Sequence, residues 1–556
     1  MLLNNFLPRT DFDSYEDFYE NYRVNVPENF NYGFDVVDEI AREEPNKTAL
    51  VWCNDSSAER FVSFGEMSAW SNRMANLFSS LSIKKGDVVM LILKRRAEYW
   101  PAVIALHKIG AVAIPATNQL KKKDLLYRFK AANVKMLISV NEPSIRTELS
   151  EALAEHPLEL KLLCDGPYPA ASPDLDPEGW LDLSALTERE SSLFARPCGD
   201  QATHNDDPML LYFTSGTTGM PKMVSHTYTY PLGHILTAKY WQNCSDGGLH
   251  FTVAETGWAK ASWGKLYGQW LCGSAVMVFD FDRFNARSLL SVIEKYRVTT
   301  FCAPPTMYRY IIKEDLSKYN LSALSYAVVA GEPLNPEIYD RFLEETGLAL
   351  REGYGQTEMT CAVATYPWMK PKPGSMGRPS PGYQLAILDE NLSPCEADRQ
   401  GEIAIMTREQ RPIGLFGGYY QDDERTASVW KDGIYRTGDT AWMDEDGYIW
   451  FVGRSDDIIK SSGYRIGPFE VESALLEHPA VMECAVTGVA DPERGEVVKA
   501  SIVLSHGFGE SRDLIKELQD HVKAITAPYK YPRVVEFVRE LPKTISGKIR
   551  RVEIRG

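Results

Sequence analysis

Fifteen residues, Tyr212 to His226, read YFTSGTTGMPKMVSH. The run places Thr214, Ser215, Gly216, Thr217, Thr218 and Gly219 side by side and sets Lys222 after a proline. Glycines let successive backbone N–H groups turn towards one anion, and hydroxyls add donors. The chemistry indicated is phosphate binding. It is not a Walker loop, in which the lysine follows a glycine directly and opens a helix. A loose nest of this kind suits a phosphate group that moves or leaves. A second concentration of charge closes the chain: KTISGKIRRVEIRG gathers Lys543, Lys548, Arg550, Arg551 and Arg555. Taken alone it reads equally as a solvated tail or as an anion contact.

The loop needs elements to hold it. PMLLYF, rich in β-formers, runs straight into Thr214. Upstream, GDVVMLIL (86–93), the helix-like AEYWPAVIALHKIG and AVAIPA form strand, helix and strand, a unit that implies a parallel sheet. The alternation returns at KMLISV (135–140), SAVMVFD, SLLSVIEKYRVTTFCAPP and YAVVAGEPL. The first two-thirds therefore read as doubly wound α/β, whose ligands sit beyond the carboxyl ends of the strands. After about Gly374 the pattern changes to short strands with Asp/Gly turns, a small β-subdomain. Past Arg454 an α+β pattern begins, with a helix opened by Pro468 and Glu470. The expected division is a large domain over residues 1–453, a junction at 454–457 and a small α+β domain over 458–556.

Composition narrows the class. A chain of 556 residues exceeds one ordinary core, and 44% apolar with 24% charged residues is globular. A formal charge of −16 repels polyanions, so nucleic acid is an unexpected partner. Nine dispersed cysteines, without C-x-x-C pairs, favour neither a disulfide framework nor zinc. The apolar run from Ala102 to Ala116 contains His107 and Lys108 and is too short to span a bilayer. The first residues turn acidic and aromatic at once, unlike a signal peptide. The expectation is a cytoplasmic protein without a membrane span; a homo-oligomer stays open.

Tyr212–Lys222 resembles the phosphate loop of the adenylate-forming enzymes, which comprise acyl-CoA synthetases, luciferases and peptide-synthetase adenylation domains. The family's other motifs follow in order: REGYGQTEM (351–359), YRTGD (435–439), GRSDDIIKSSGYRIGPFEVE (453–472) and LPKTISGKIRR (541–551). The resemblance implies ATP and coenzyme A as co-substrates with Mg²⁺, and a small C-terminal domain that swings between two half-reactions. It assigns ATP or AMP to Thr214–Gly219, Lys222, Glu352, Gly353, Tyr354, Gly355, Gln356, Thr357, Asp439, Arg454 and Arg465. Catalysis falls to Lys548, Thr357 and Glu358, with Glu358 on the metal as a hard oxygen ligand. Coenzyme A falls to Ser462, Gly463, Tyr464, Arg494, Tyr531 and Arg533. Asp456 matches the hinge, and Trp258, Gly331 and Gly355 the acyl pocket.

Within the family the likeness is to medium-chain acyl-CoA synthetases, through GWAKASWGKLYGQW, AGEPLNP, DPERGEVVKA and TAPYKYPR. Glu255 stands where many relatives place aspartate, so it is not assigned to the site. Acetyl-CoA synthetases carry a tryptophan at the position of Gly355. Its absence implies a longer cavity, and acids of about four to eight carbons at roughly 0.8 kcal/mol per buried methylene. An alternative for Gly355 is a φ > 0 turn. Rival functions are adenylation for a carrier protein or amine, a luciferase-like oxygenase, and a non-catalytic nucleotide or acyl-CoA sensor.

Overall fold

The computed structural model describes residues 2–164, 179–214, 220–462, 464–543 and 549–555. Among these, two large sheets of eight and nine strands organise the chain before residue 380. Strand Val88–Ile92 is five consecutive buried apolar residues. Helix Tyr99–Ile109 is buried on every side and stops at Gly110, whose φ of 82° supplies the left-handed cap. The chain then re-enters the sheet at Val112–Pro115, parallel to the first strand with Val88 opposite Val112. The βαβ expectation holds there. The run interrupted by His107 and Lys108 is a core helix, and Lys108 is satisfied internally: its ammonium donates to Asp38 Oδ1 and Asn72 Oδ1, each at 2.6 Å.

In the nine-stranded sheet, strands Thr300–Ala303, Tyr326–Ala330 and Leu350–Tyr354 run parallel, with Ala330 beside Gly353. Their carboxyl ends deliver Gly331 and the segment 353–358 to one edge. Past residue 380, strands Gln384–Leu388, Gly401–Met406, Trp430–Lys431, Ile434–Met443 and Ile449–Arg454 build the small β-subdomain. Two short strands depart from that plan. Arg378–Pro379 still belongs to the nine-stranded sheet, and Gly418–Tyr419 returns to the eight-stranded sheet beside Lys222–Thr227.

From Ile459 a separate five-stranded sheet with helices Pro468–Leu476 and Arg512–Ile525 has its own core, centred on Ile466, Val471, Leu475, Val486, Ile502 and Leu518. Three of the tail's basic residues are paired with carboxylates of the same domain or its junction. Lys543 bridges Glu483 at 2.8 Å, Arg551 holds Glu472 at 2.8 Å, and Arg555 donates to Asp457 Oδ1 at 2.6 Å and to the Asp456 carbonyl at 2.9 Å.

Candidate nucleotide and thiol site

The phosphate loop joins two antiparallel strands, Pro208–Thr214 and Lys222–Thr227, with Thr214 opposite Lys222. A Walker loop leads instead into a helix whose N-terminus helps bind the anion. Here charge must come from side chains, and Lys222 is half-buried beside the loop. Burial pulls its ammonium below the ordinary value; Glu358 opposes that pull, while Arg454 and Arg425 reinforce it. Ser215, Gly216, Thr217, Thr218 and Gly219 lie outside the described residues, as do Gly463 and Lys548.

The strand ending at Tyr354 carries the next group. Asp439, only 4% exposed, accepts at Oδ2 from the Tyr354 hydroxyl and from Gln356 Nε2, both at 2.6 Å. Gln356 Nε2 also donates to the Thr437 carbonyl at 2.8 Å, and its Oε1 accepts from the Tyr435 hydroxyl at 2.9 Å. Arg454 faces Asp439 in the strand register and meets its Oδ1 at 3.3 Å. Burial alone would lower the Arg454 guanidinium, but Asp439 and Asp456 outweigh it and hold the group above its ordinary value. The result is a carboxylate fixed by three neighbours, with a guanidinium beside it.

Gly353 and Gly355 are required by packing, since neither has a left-handed φ. A Cβ on Gly353 would run into the Trp241 indole, and one on Gly355 into the Trp263 indole and the Thr360 carbonyl. The φ > 0 explanation of Gly355 therefore falls. The cavity expected under Gly355 is also modified, because the Trp263 ring sits against that glycine, edge-on to Trp241 at 6.0 Å. Trp258 is half-buried and precedes helix Ala259–Gly264. Gly331 has a φ of 104°, and the Lys260 ammonium nearby donates to the Ala330 carbonyl. The Glu352 carboxyl is buried, accepts from Leu334 N at 3.2 Å, and is pushed up to about 8 by burial.

Thr357 and Glu358 follow at the strand's end. His226 Nε2 donates to the Thr357 carbonyl at 2.7 Å, and its ring stacks on Tyr230 at 3.8 Å. Burial pushes this imidazole down to about 3, so it is a neutral donor. Glu358 accepts at Oε1 from the Tyr419 hydroxyl at 2.9 Å. Neither His226 nor Tyr419 was singled out by the sequence. The adjacent Gly417-Gly418 pair, with Gly418 at φ 128°, was the available signal of a close backbone approach.

The residues assigned to coenzyme A gather on the small domain. Ser462, at a left-handed φ of 49°, donates its N–H to the Arg494 carbonyl at 2.9 Å, and Arg494 returns a bond to Ser462 Oγ at 3.2 Å. Tyr464 is half exposed and stacks on Tyr529 at 4.0 Å. Arg533 lies over the Tyr531 ring and donates to its hydroxyl at 2.8 Å. Arg465 follows Tyr464 in the same hairpin and bridges to Glu390 of the β-subdomain at 2.7 Å. Asp456 is exposed and lies 3.8 Å from Arg454 Nε.

Residues 37–420 match the family model described as AMP-binding enzyme, and residues 470–548 match that of the AMP-binding enzyme C-terminal domain. The chain is 41% identical to acyl-coenzyme A synthetase ACSM3, mitochondrial, of Mus musculus, over 98% of this chain and 93% of the relative. It is 42% identical to the human ACSM4 synthetase, also named as mitochondrial, over 95% and 91%. Among solved structures it is similar to the anthranilate CoA ligase AuaEII in complex with anthranoyl-AMP (29% identity, TM-score 0.83, 95% and 97% covered) and to a Brucella canis acyl-CoA synthetase (31%, 0.74, 98% and 98%). Among the described residues no helix is long and apolar enough to cross a membrane.

Proposed function

Because this chain belongs to the AMP-binding enzyme family, we propose that it is an AMP-forming acyl-CoA synthetase for medium-chain or short branched-chain acids. A carboxylate attacks the α-phosphorus of ATP and displaces diphosphate; the thiol of coenzyme A then takes the acyl group and AMP leaves. The observation that carries the reading is Asp439 held by Tyr354, Gln356 and Arg454. A carboxylate so fixed, beside the strand Ile449–Arg454 that leads to the hinge, suits the two hydroxyls of a ribose. Thr214 and Lys222 supply the phosphate end, and Lys548 the charge opposite the developing oxyanion. Residues 454–457 act as the hinge, on which the domain bearing Ser462, Gly463, Tyr464, Arg494, Tyr531 and Arg533 turns to offer coenzyme A.

Glu358 suits Mg²⁺, which takes one or two protein carboxylates and completes its shell with water and phosphate oxygens. Its carboxylate is oriented by Tyr419 near the Lys222 ammonium. Bound there, the ion would offset charge on the ATP phosphates. Trp263 against Gly355 sets the depth of the acyl cavity, which supports acids of moderate length. Nine free cysteines suit a reducing compartment, and the cytoplasm is the one proposed; cell fractionation distinguishes it from the mitochondrion named for the relatives above.

Carboxylate-dependent exchange of labelled diphosphate into ATP, without coenzyme A, tests the first half-reaction. Hexanoate should support exchange and acetate should support little. Absence of exchange across linear, branched and aromatic acids would overturn the proposal.

A further inference from the structure

Lys222 opens a strand of the eight-stranded sheet and Glu358 lies in the turn beyond a strand of the nine-stranded sheet, and both must meet the phosphate end of the nucleotide in the reading above, on which this inference rests. The Tyr419 hydroxyl bridges them. It donates to Glu358 Oε1 at 2.9 Å and receives Lys222 Nζ at 3.4 Å, while that ammonium also lies 5.0 Å from the centre of the Tyr419 ring.

The segment bearing Tyr419 is locked on several sides. Tyr419 pairs with Val224 and Gly418 with Ser225, so the segment forms the edge strand beside the phosphate loop's second arm. Gly417 N donates to the Ser225 carbonyl at 2.7 Å and Tyr420 N to the Met223 carbonyl at 2.8 Å. On the other side Tyr419 N donates to Thr426 Oγ1 at 2.9 Å. The ring is buried and meets Phe416 edge-on at 5.2 Å. Phe416 N donates to the Glu358 carbonyl at 2.7 Å, so this segment holds Glu358 by main chain and side chain together. A phenol is well chosen for the place. It can donate to a carboxylate and accept from an ammonium at once, which keeps the two charges from collapsing into one ion pair.

We propose that Tyr419 is a positioning residue for the first half-reaction: its hydroxyl holds Glu358 and Lys222 in place so that both stay available to the metal-bound phosphates of ATP. It touches neither the acid nor coenzyme A in this role, so the second half-reaction does not depend on it.

Tyr419→Phe removes the hydroxyl and keeps the ring over which Lys222 lies. Calorimetric binding of a non-hydrolysable ATP analogue, repeated across Mg²⁺ concentrations, reads the effect without turnover and without the acid. Outer partners of metal-binding carboxylates typically alter affinity by about 10- to 100-fold. Analogue affinity and Mg²⁺ requirement should worsen by at least about tenfold, with the melting temperature and thioester formation from supplied acyl-adenylate unchanged. In a Glu358→Gln background the same substitution should add little, because the partner is already altered. Wild-type analogue affinity and Mg²⁺ dependence in Tyr419→Phe would overturn the proposal, as would equal loss in both half-reactions or a full additional loss on top of Glu358→Gln. Diphosphate exchange by the wild type tests the adenylation reading separately.

Discussion

The end proposed for the nucleotide and the end proposed for coenzyme A are built in opposite ways. Asp439 is buried and held by three side chains, of which Gln356 is bonded in turn to Thr437 and Tyr435. Tyr464, Arg494 and Arg533 sit on the small domain's surface, paired with near neighbours on the same domain. A buried polar atom stripped of its partner costs about 1–3 kcal/mol, whereas an exposed pair contributes about 0.2–1 kcal/mol. The first end is thus formed before substrate arrives. The second offers exposed groups that, as proposed, the small domain would bring to the acyl-adenylate.

The contrast can be broken most forcefully at Lys548, which the proposed mechanism moves with the small domain yet assigns to the nucleotide end. Lys548→Ala should slow adenylation about 10²–10³-fold and leave thioester formation from supplied acyl-adenylate largely intact. Equal loss in both steps, measured by rapid quench, would remove the two-position assignment. Asp439→Ala comes next. It deletes the acceptor of Tyr354 and Gln356 and the partner of Arg454. Nucleotide affinity should fall by about 2 kcal/mol, roughly 30-fold, accompanied by a lower melting temperature. Unchanged calorimetric affinity would show that the buried network is structural only.

A smaller effect is expected from trimming the acyl cavity. Trp263→Leu should move the preferred acid to longer chains, with each added methylene that enters the vacated space gaining about fourfold in kcat/KM. A panel from butanoate to dodecanoate reads this; an unmoved optimum would place the cavity wall elsewhere. Gly355→Trp should fold poorly unless Trp263 is reduced as well, since the two indoles would claim one space. The smallest change belongs to the exposed end. Arg494→Ala should raise KM for coenzyme A only about two- to fivefold and spare diphosphate exchange, as suits a surface contact. A matching fall in exchange would move Arg494 to the nucleotide end.

The elements were legible where chemistry followed local period. The buried strand Val88–Ile92, the helix Tyr99–Ile109 and the turn at Gly110 declare themselves within 25 residues. The loop at Thr214, Asp439 and Arg454 were also legible, because motif order marks them. Contacts that join distant segments were not. Gly418–Tyr419 is two residues long and returns to a sheet whose partner strand lies some 190 residues earlier, so no periodicity announces it. The contact of Trp263 with Gly355 spans 92 residues of chain, and no local pattern marks it. The basic tail read equally as solvated or as an anion contact, and the carboxylates that Arg551, Lys543 and Arg555 meet, Glu472, Glu483 and Asp457, lie 60–100 residues upstream where no local pattern marks them.

The most direct measurement is of AMP and acyl-CoA together, by chromatography, from ATP, Mg²⁺ and hexanoate with and without coenzyme A. Sustained turnover should need all components and yield AMP and hexanoyl-CoA in equal amounts. AMP released at the same rate without coenzyme A, or ADP in place of AMP, would contradict a synthetase that adenylates at one end and passes the acyl group to a thiol brought by the other.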